Sequence, residues 1–157
     1  MFYKIVETIT NQLNNEVGPN SAYTDNRVEF IDKKIPDDVT VNRHISVVKR
    51  NKENGEYNIG QSPAFTFDYY IDVVLLTKHL NYDEGEKSLE KIERRVIKSL
   101  SNHMSDVFLV EDTTDNITEQ VLRAQLVKVD YDSGLWQDNN WAHIAILNYK
   151  ITTQFQV

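Results

Sequence analysis

The chain has no cysteine, and only 5 glycines and 3 prolines in 157 residues. Without cysteine there is no disulfide scaffold, no thiolate nucleophile and no cysteine-ligated zinc. So few glycines leave little room for a phosphate-cradling loop, and neither a Rossmann fingerprint nor a G-x-S-x-G elbow occurs. Long apolar runs are also missing. The longest aliphatic run, Val73-Val74-Leu75-Leu76, falls far short of the roughly 20 residues that span a bilayer. The opening residues, Met1 to Glu7, carry one lysine, and no apolar core follows before Asn11, so no export signal is expected and assembly in a cytoplasm is. Basic charge is in the minority, 17 side chains against 24 acidic ones, for a net −7. That balance argues against affinity for nucleic acid or an anionic membrane by charge alone.

What is present suffices for a core. Apolar residues make up 40% and aromatics 10%, too much for a disordered acidic tail. The length suits one domain spanning 1–157, and a domain near this size buries roughly 70% of the surface its unfolded chain exposes. No internal repeat, linker or low-complexity tract divides it.

Periodicity places the elements. Phe2, Ile5, Val6, Ile9 and Leu13 form one helical stripe, which Asn14-Asn15 and Gly18-Pro19 end. Residues 18 to 43 read as two short strands, Val28 to Ile31 and Val39 to Val41, or as an excursion. Ile45, Val47 and Val48 then approach a hairpin turn at Asn54-Gly55, a pair suited to positive φ. The strongest strand follows, with Phe65, Phe67, Tyr69, Ile71, Val73 and Leu75 on one face. A second helix is expected from Asp83 and Glu86, a capping-box-like start, with Leu89, Ile92, Val96, Leu100 and Met104 as its buried stripe. Glu90 and Arg94 stand in the favourable order for a helical ion pair.

The last third returns to sheet, with a short strand over Val107 to Val110 and a polar turn from Glu111 to Asn116. Residues 117 to 131 change phase, so they read either as a strand with a bulge near 126 or as a helix through 117 to 126. Asp132-Ser133-Gly134 is expected to turn the chain. A loop holding Trp136 and Trp141 leads to a long final strand with Ala145, Leu147, Tyr149, Ile151 and Phe155 on one face. Hairpin strands with few helices indicate an α+β fold, its antiparallel or mixed sheet packed by the N-terminal helix and the second amphipathic helix.

Chemistry-bearing constellations are sparse. His44, His79, His103 and His143 are too far apart in sequence for the paired histidines of zinc enzymes, and His143 is expected at a strand rim. Asp68 and Asp72 share a strand face and, with His79, form the best candidate for a mixed oxygen and nitrogen metal site. The plainer reading is a solvated strand face, and no cofactor is expected. Asp130 to Gly134 opens like a calcium loop but places glycine and the closing ligand wrongly, so a turn is the simpler reading. Trp136 and Trp141 flank Gln137-Asp138-Asn139-Asn140, a loop that serves equally well as a contact surface or as a cap on the sheet end. The Asn54-Gly55 tip with Tyr57 has the same two readings. Arg94, Arg95 and Lys98 are the densest basic group, and Glu90 and Glu93 dilute it, so no sequence-specific nucleic-acid binding is expected.

Taken together, the N-terminal helix Phe2 to Leu13, the strand Phe65 to Leu76 running into the helix Glu86 to Met104, and the ending carry a resemblance. That ending is Leu126-Val127-Lys128-Val129-Asp130-Tyr131, the turn Asp132-Ser133-Gly134-Leu135, and Trp141-Ala142-His143-Ile144-Ala145-Ile146-Leu147-Asn148-Tyr149. The chain resembles the tail terminator (tail completion) proteins of long-tailed bacteriophages. The resemblance implies a non-enzymatic virion protein of the tail that forms a homohexameric ring, stops tail-tube polymerisation and joins the tail to the head connector. Its partners would be further copies of itself, the tail tube protein and a head connector or completion protein. A head-to-tail ring uses two different patches of each subunit, for which edge strands and sheet faces are the expected source. An acidic channel wall would repel passing DNA. Asn54, Gly55, Tyr57, Trp136, Asp138, Asn139 and Trp141 are the expected ring or partner contacts. The alternatives are a head-completion or minor tail-tube component, a monomeric binding module using the Trp136/Trp141 loop, or a small metal enzyme using Asp68, Asp72 and His79.

Overall fold

A computed structural model describes residues 2–35, 40–54, 64–103, 109–112, 117–136 and 138–156. In chain order they form α1 (Phe2–Glu16), β1 (Phe30–Asp32), β2 (Arg43–Asn54), β3 (Ala64–His79), α2 (Tyr82–His103), β4 (Leu109–Asp112), β5 (Ile117–Leu135) and β6 (Trp141–Gln156). The strands make one sheet in the order β1-β2-β3-β6-β5-β4. Only β1 and β2 run parallel; every other pair is antiparallel. The mixed-sheet α+β architecture expected from the sequence is the one that forms.

The two central strands set the frame. β3 and β6 pair without a break from Ala64↔Gln156 to His79↔Trp141. Alternation along β3 sends Tyr69, Ile71, Val73 and Leu75 to one face, all fully buried. Ala145, Leu147, Tyr149 and Ile151 of β6 continue that face. Both helices cover it, α1 over β1 and β2, α2 over β3, β6 and β5.

Each helix buries one stripe. Ile5, Val6, Ile9 and Leu13 of α1 meet Leu89, Ile92, Val96 and Leu100 of α2 in one core with the strand residues. At the end of α1 the amides of Val17 and Gly18 both donate to the Leu13 carbonyl. A Cβ at Gly18 would lie 2.7 Å from Ile31 Cδ1 and 3.0 Å from the Asn14 Cα, so glycine is what lets β1 approach the helix end. The start of α2 differs from the expected Asp83/Glu86 box. Asn81 is the cap, its side-chain oxygen accepting from the Glu84 amide at 3.1 Å, because α2 begins at Tyr82, two residues earlier than that box requires.

Several sequence expectations are corrected. Among the described residues of 18–42 one short strand forms, β1, while Val39 lies outside the described residues and Thr40 and Val41 are not in a strand. The remainder of the excursion is a strap onto α2. Asp25 reaches Lys91 and Arg95 at 2.6 and 3.0 Å, and the Arg95 guanidinium lies 3.7 Å over the Tyr23 ring. β2 runs through Asn51 to Asn54, paired antiparallel with β3 as far as Asn54↔Phe67, and Gly55 of the expected Asn54-Gly55 turn lies outside the described residues. Asp132-Ser133-Gly134 likewise continues β5, paired with Ile144, His143 and Ala142, and the chain turns only after Leu135. The phase change in 117–131 is resolved as strand. Register shifts fall between Val121 and Arg123 and between Leu126 and Lys128, the second where a bulge was expected.

Ile92, 1% exposed in the α2 stripe, and Leu122, 44% exposed on β5, separate core from surface. Ile92→Ala should cost about 2–5 kcal/mol in urea unfolding, whereas Leu122→Ala should stay within about 0.5 kcal/mol of the parent.

Candidate functional site

The metal constellation does not assemble. Asp68 and Asp72 lie on the helix-free face of the sheet and are spent on neighbours there. Asp72 accepts from Asn148 at 3.0 Å and pairs with Arg50 at 3.4 Å. Asp68 accepts from Thr152 at 2.7 Å and pairs with Lys150 at 3.5 Å. His79 sits at the end of β3, about 20 Å beyond Asp72 at ~3.3 Å per residue, and its Nδ1 accepts from the Asn81 amide. Among the described residues no group of three or more histidine or carboxylate side chains is placed to hold a metal.

The β5–β6 connection brings most of the expected contact residues to one end of the sheet. The Trp136 amide donates to the Asn140 carbonyl at 2.7 Å and the Asn139 amide to the Trp136 carbonyl at 3.1 Å. Asn139 takes φ 63°, a left-handed conformation that asparagine tolerates better than most residues. The two tryptophans point to opposite faces. Trp136 neighbours Lys78, whose ammonium lies 5.9 Å from the indole ring and 3.1 Å from Asp138. Hydrogen bonds from Asn140 and then from Lys78 hold the Asp138 carboxyl below its ordinary range. Trp141 instead meets Tyr82 edge-on at 5.3 Å, on the helix side. Both tryptophans are half-buried, so their rings cap the sheet end while Asp138 and Asn139 stay exposed at the tip.

Behind Trp141 stands His143, which is buried and not a rim residue, at 1% exposure. Its Nε2 donates to the Tyr82 carbonyl at 2.9 Å in the tautomer that leaves Nδ1 to accept from Ser133 at 2.8 Å. A Cβ at Gly85 would lie 2.9 Å from the His143 ring, so this glycine lets α2 start directly over the histidine.

The opposite end holds one more of the expected contacts. Asn54 closes β2 there, while Gly55 and Tyr57 lie outside the described residues. Near that end lies a buried polar knot that sequence reasoning missed. Glu119, 1% exposed, accepts from Tyr69 at 2.6 Å and from Thr153. Burial first, and then Glu119, pushes the Tyr69 hydroxyl far above its usual range. The one available signal was alternation, which places Glu119 on the face of Val121.

The sheet has two partly open edges. On its outer side β2 is paired by β1 only at His44, Ile45 and Ser46, and β5 by β4 only at Ile117 to Gln120. The Glu29 amide also donates to the Arg43 carbonyl at 3.0 Å, and among the described residues no other strand pairs the rest of either edge. Along β5 this leaves Leu122, Val127, Tyr131 and Leu135 at 44–64% exposure. Tyr131 donates to Glu93 of α2 at 2.7 Å, which pushes the phenol up to about 12. No helix among the described residues is long and apolar enough to cross a membrane.

No family model and no curated protein matches the chain. Among solved structures, a chain of "Virion of native gene transfer agent (GTA) particle" is similar at 10% identity and a TM-score of 0.36, covering 97% of this chain and 91% of that one. A likeness of that size carries no inference about function.

Asp138→Asn should lower Tm at neutral pH, because it removes the charge facing a lysine side chain that is only 5% exposed. The folded carboxyl lies below its ordinary 3.8. Its contribution is therefore complete above that value and is lost as pH falls through the lower, folded one. The Tm difference between variant and parent should close on acidification; an equal Tm at pH 7 would contradict a stabilising pair.

Proposed function

We propose that this protein is a structural virion component, a ring-forming tail terminator that caps a phage tail tube, stops its growth and joins it to the head connector. The observation that carries the reading is the separation of surfaces on a single sheet. A subunit of such a ring needs two different flanks for its neighbours and two ends for its partners. Here β2 and β5 offer partly open flanks. The β2–β3 and β5–β6 connections lie at opposite ends of strands 16 residues long, a span of about 50 Å at ~3.3 Å per residue.

The sequence resemblance supports the same role, with a homohexamer of one-domain subunits as its expected form. Asn54, Gly55 and Tyr57 would meet one partner. Asp138 and Asn139, exposed at the other tip, would meet the second, with Trp136 and Trp141 holding that tip rigid. A net charge of −7 suits a channel through which DNA slides without sticking.

The test is tail morphology by negative-stain electron microscopy after silencing the gene in its parent genome. Overlong or irregular tubes detached from filled heads are expected. Tails of normal length without heads would move the protein to head completion, and normal tails on normal heads would overturn the reading.

A further inference from the structure

We infer that the ring closes by sheet continuation: the basic edge of β2 in one copy pairs, antiparallel, with the acidic open edge of β5 in the next. The inference takes its head-to-tail symmetry from the ring proposed above, and is independent of the tail as its destination.

Strand direction is the first support. β2 and β5 run antiparallel to each other within the subunit, because β3 and β6 stand between them, each antiparallel to its neighbours. In a ring whose copies all point the same way, β2 of one copy therefore meets β5 of the next antiparallel, the stronger ladder. The strands that shield these edges lie at opposite ends of the sheet. β1 covers β2 at the end where β5 finishes, and β4 covers β5 at the end where β2 finishes. An offset along the strands, such as the tilt in any closed barrel imposes, moves both out of the way.

Edge chemistry is the second. Proteins protect exposed edges with bulges and with covering elements, and both bulges of β5 fall before Lys128. Lys128 to Leu135 is left as regular, unshielded strand, with Tyr131 at 64% and Leu135 at 61% exposure. Gly134 lies within it. A Cβ there would meet nothing within 4 Å, so no contact inside the subunit calls for glycine. A strand glycine weakens its own sheet and marks close approach by another backbone.

Charge complementarity selects the occupant. The open part of β2 carries exposed Lys49, Arg50 and Lys52 against one acid, Glu53, with Arg50 also paired to Asp72. The edge of β5 carries Asp130 and Asp132 against Lys128, which pairs with Asp130, and α2 overhangs it with Glu86, Glu93 and the Arg94-paired Glu90 across a cleft of about 250 Å³. Lys49 and Lys52 project on the helix side of β2, over Phe2 and Phe67. That is the side on which the glutamates line β5, so a neighbour placed in the same sheet brings opposite charges together.

The absence of native cysteine makes the test clean. A chain carrying both Asn51→Cys and Asp130→Cys, two exposed positions, is treated with a short thiol-to-thiol cross-linker. It is treated both as concentrated free protein and in purified parent particles. A covalent ladder reaching a closed ring is expected from the double variant, with neither single variant forming dimers. Gly134→Val should keep the parental melting temperature and lose the ladder. No ladder in either setting, or dimers from a single variant, would overturn the inference. Normal tails after gene silencing together with an intact ladder would overturn the tail role alone.

Discussion

The unbroken pairing of β3 with β6 is the constraint on which the remaining structure depends. Sixteen residues of each strand lie opposite one another without a register shift, from Ala64↔Gln156 to His79↔Trp141. A one-residue slip would turn Tyr69, Ile71, Val73 and Leu75 away from the helices and bring Asp68 and Asp72 under them, which no surface ion pair could offset. That register also puts the Asp68 and Asp72 ladders on the helix-free face and brings His143 under the first turn of α2. The bulged strands β2 and β5 lie outside this pair and carry the irregularity the centre does not have.

The same constraint explains why the surfaces are where they are. Helices on one face leave the other to polar ladders, and two short outer strands cover only part of each edge. Long strands keep their hairpin ends far apart. A fold of this kind has distinct flanks and distinct ends. The polar knot of Tyr69, Glu119 and Thr153 joins β3, β5 and β6 near one end. The His143, Tyr82 and Trp141 cluster joins β6 to α2 near the other.

Much of this was legible in the residues, and the rest was hidden for physical reasons. The stripes of α1 and α2 and the alternation of β3 and β6 are periodic over many residues and survive in the structure. The bulge at Leu126/Lys128 was readable because a phase change leaves apolar residues on both faces. Asp132-Ser133-Gly134 was misread as a turn because turn-forming residues on an open edge look the same as a turn. Glu119 and His143 could not be placed, because burial of a polar side chain depends on partners far away in sequence. The Asp68, Asp72 and His79 constellation failed on distance: a strand spreads out residues that a helix would bring together.

The most direct measurement is a cryo-electron microscopy map of the protein assembled at the head–tail junction of its parent particle. The account predicts a closed ring of identical subunits in which one sheet runs continuously across each seam, β5 of one copy against β2 of the next, with the two hairpin ends on opposite ring faces. Subunits joined through their helices, or both hairpin ends facing the same partner, would contradict it.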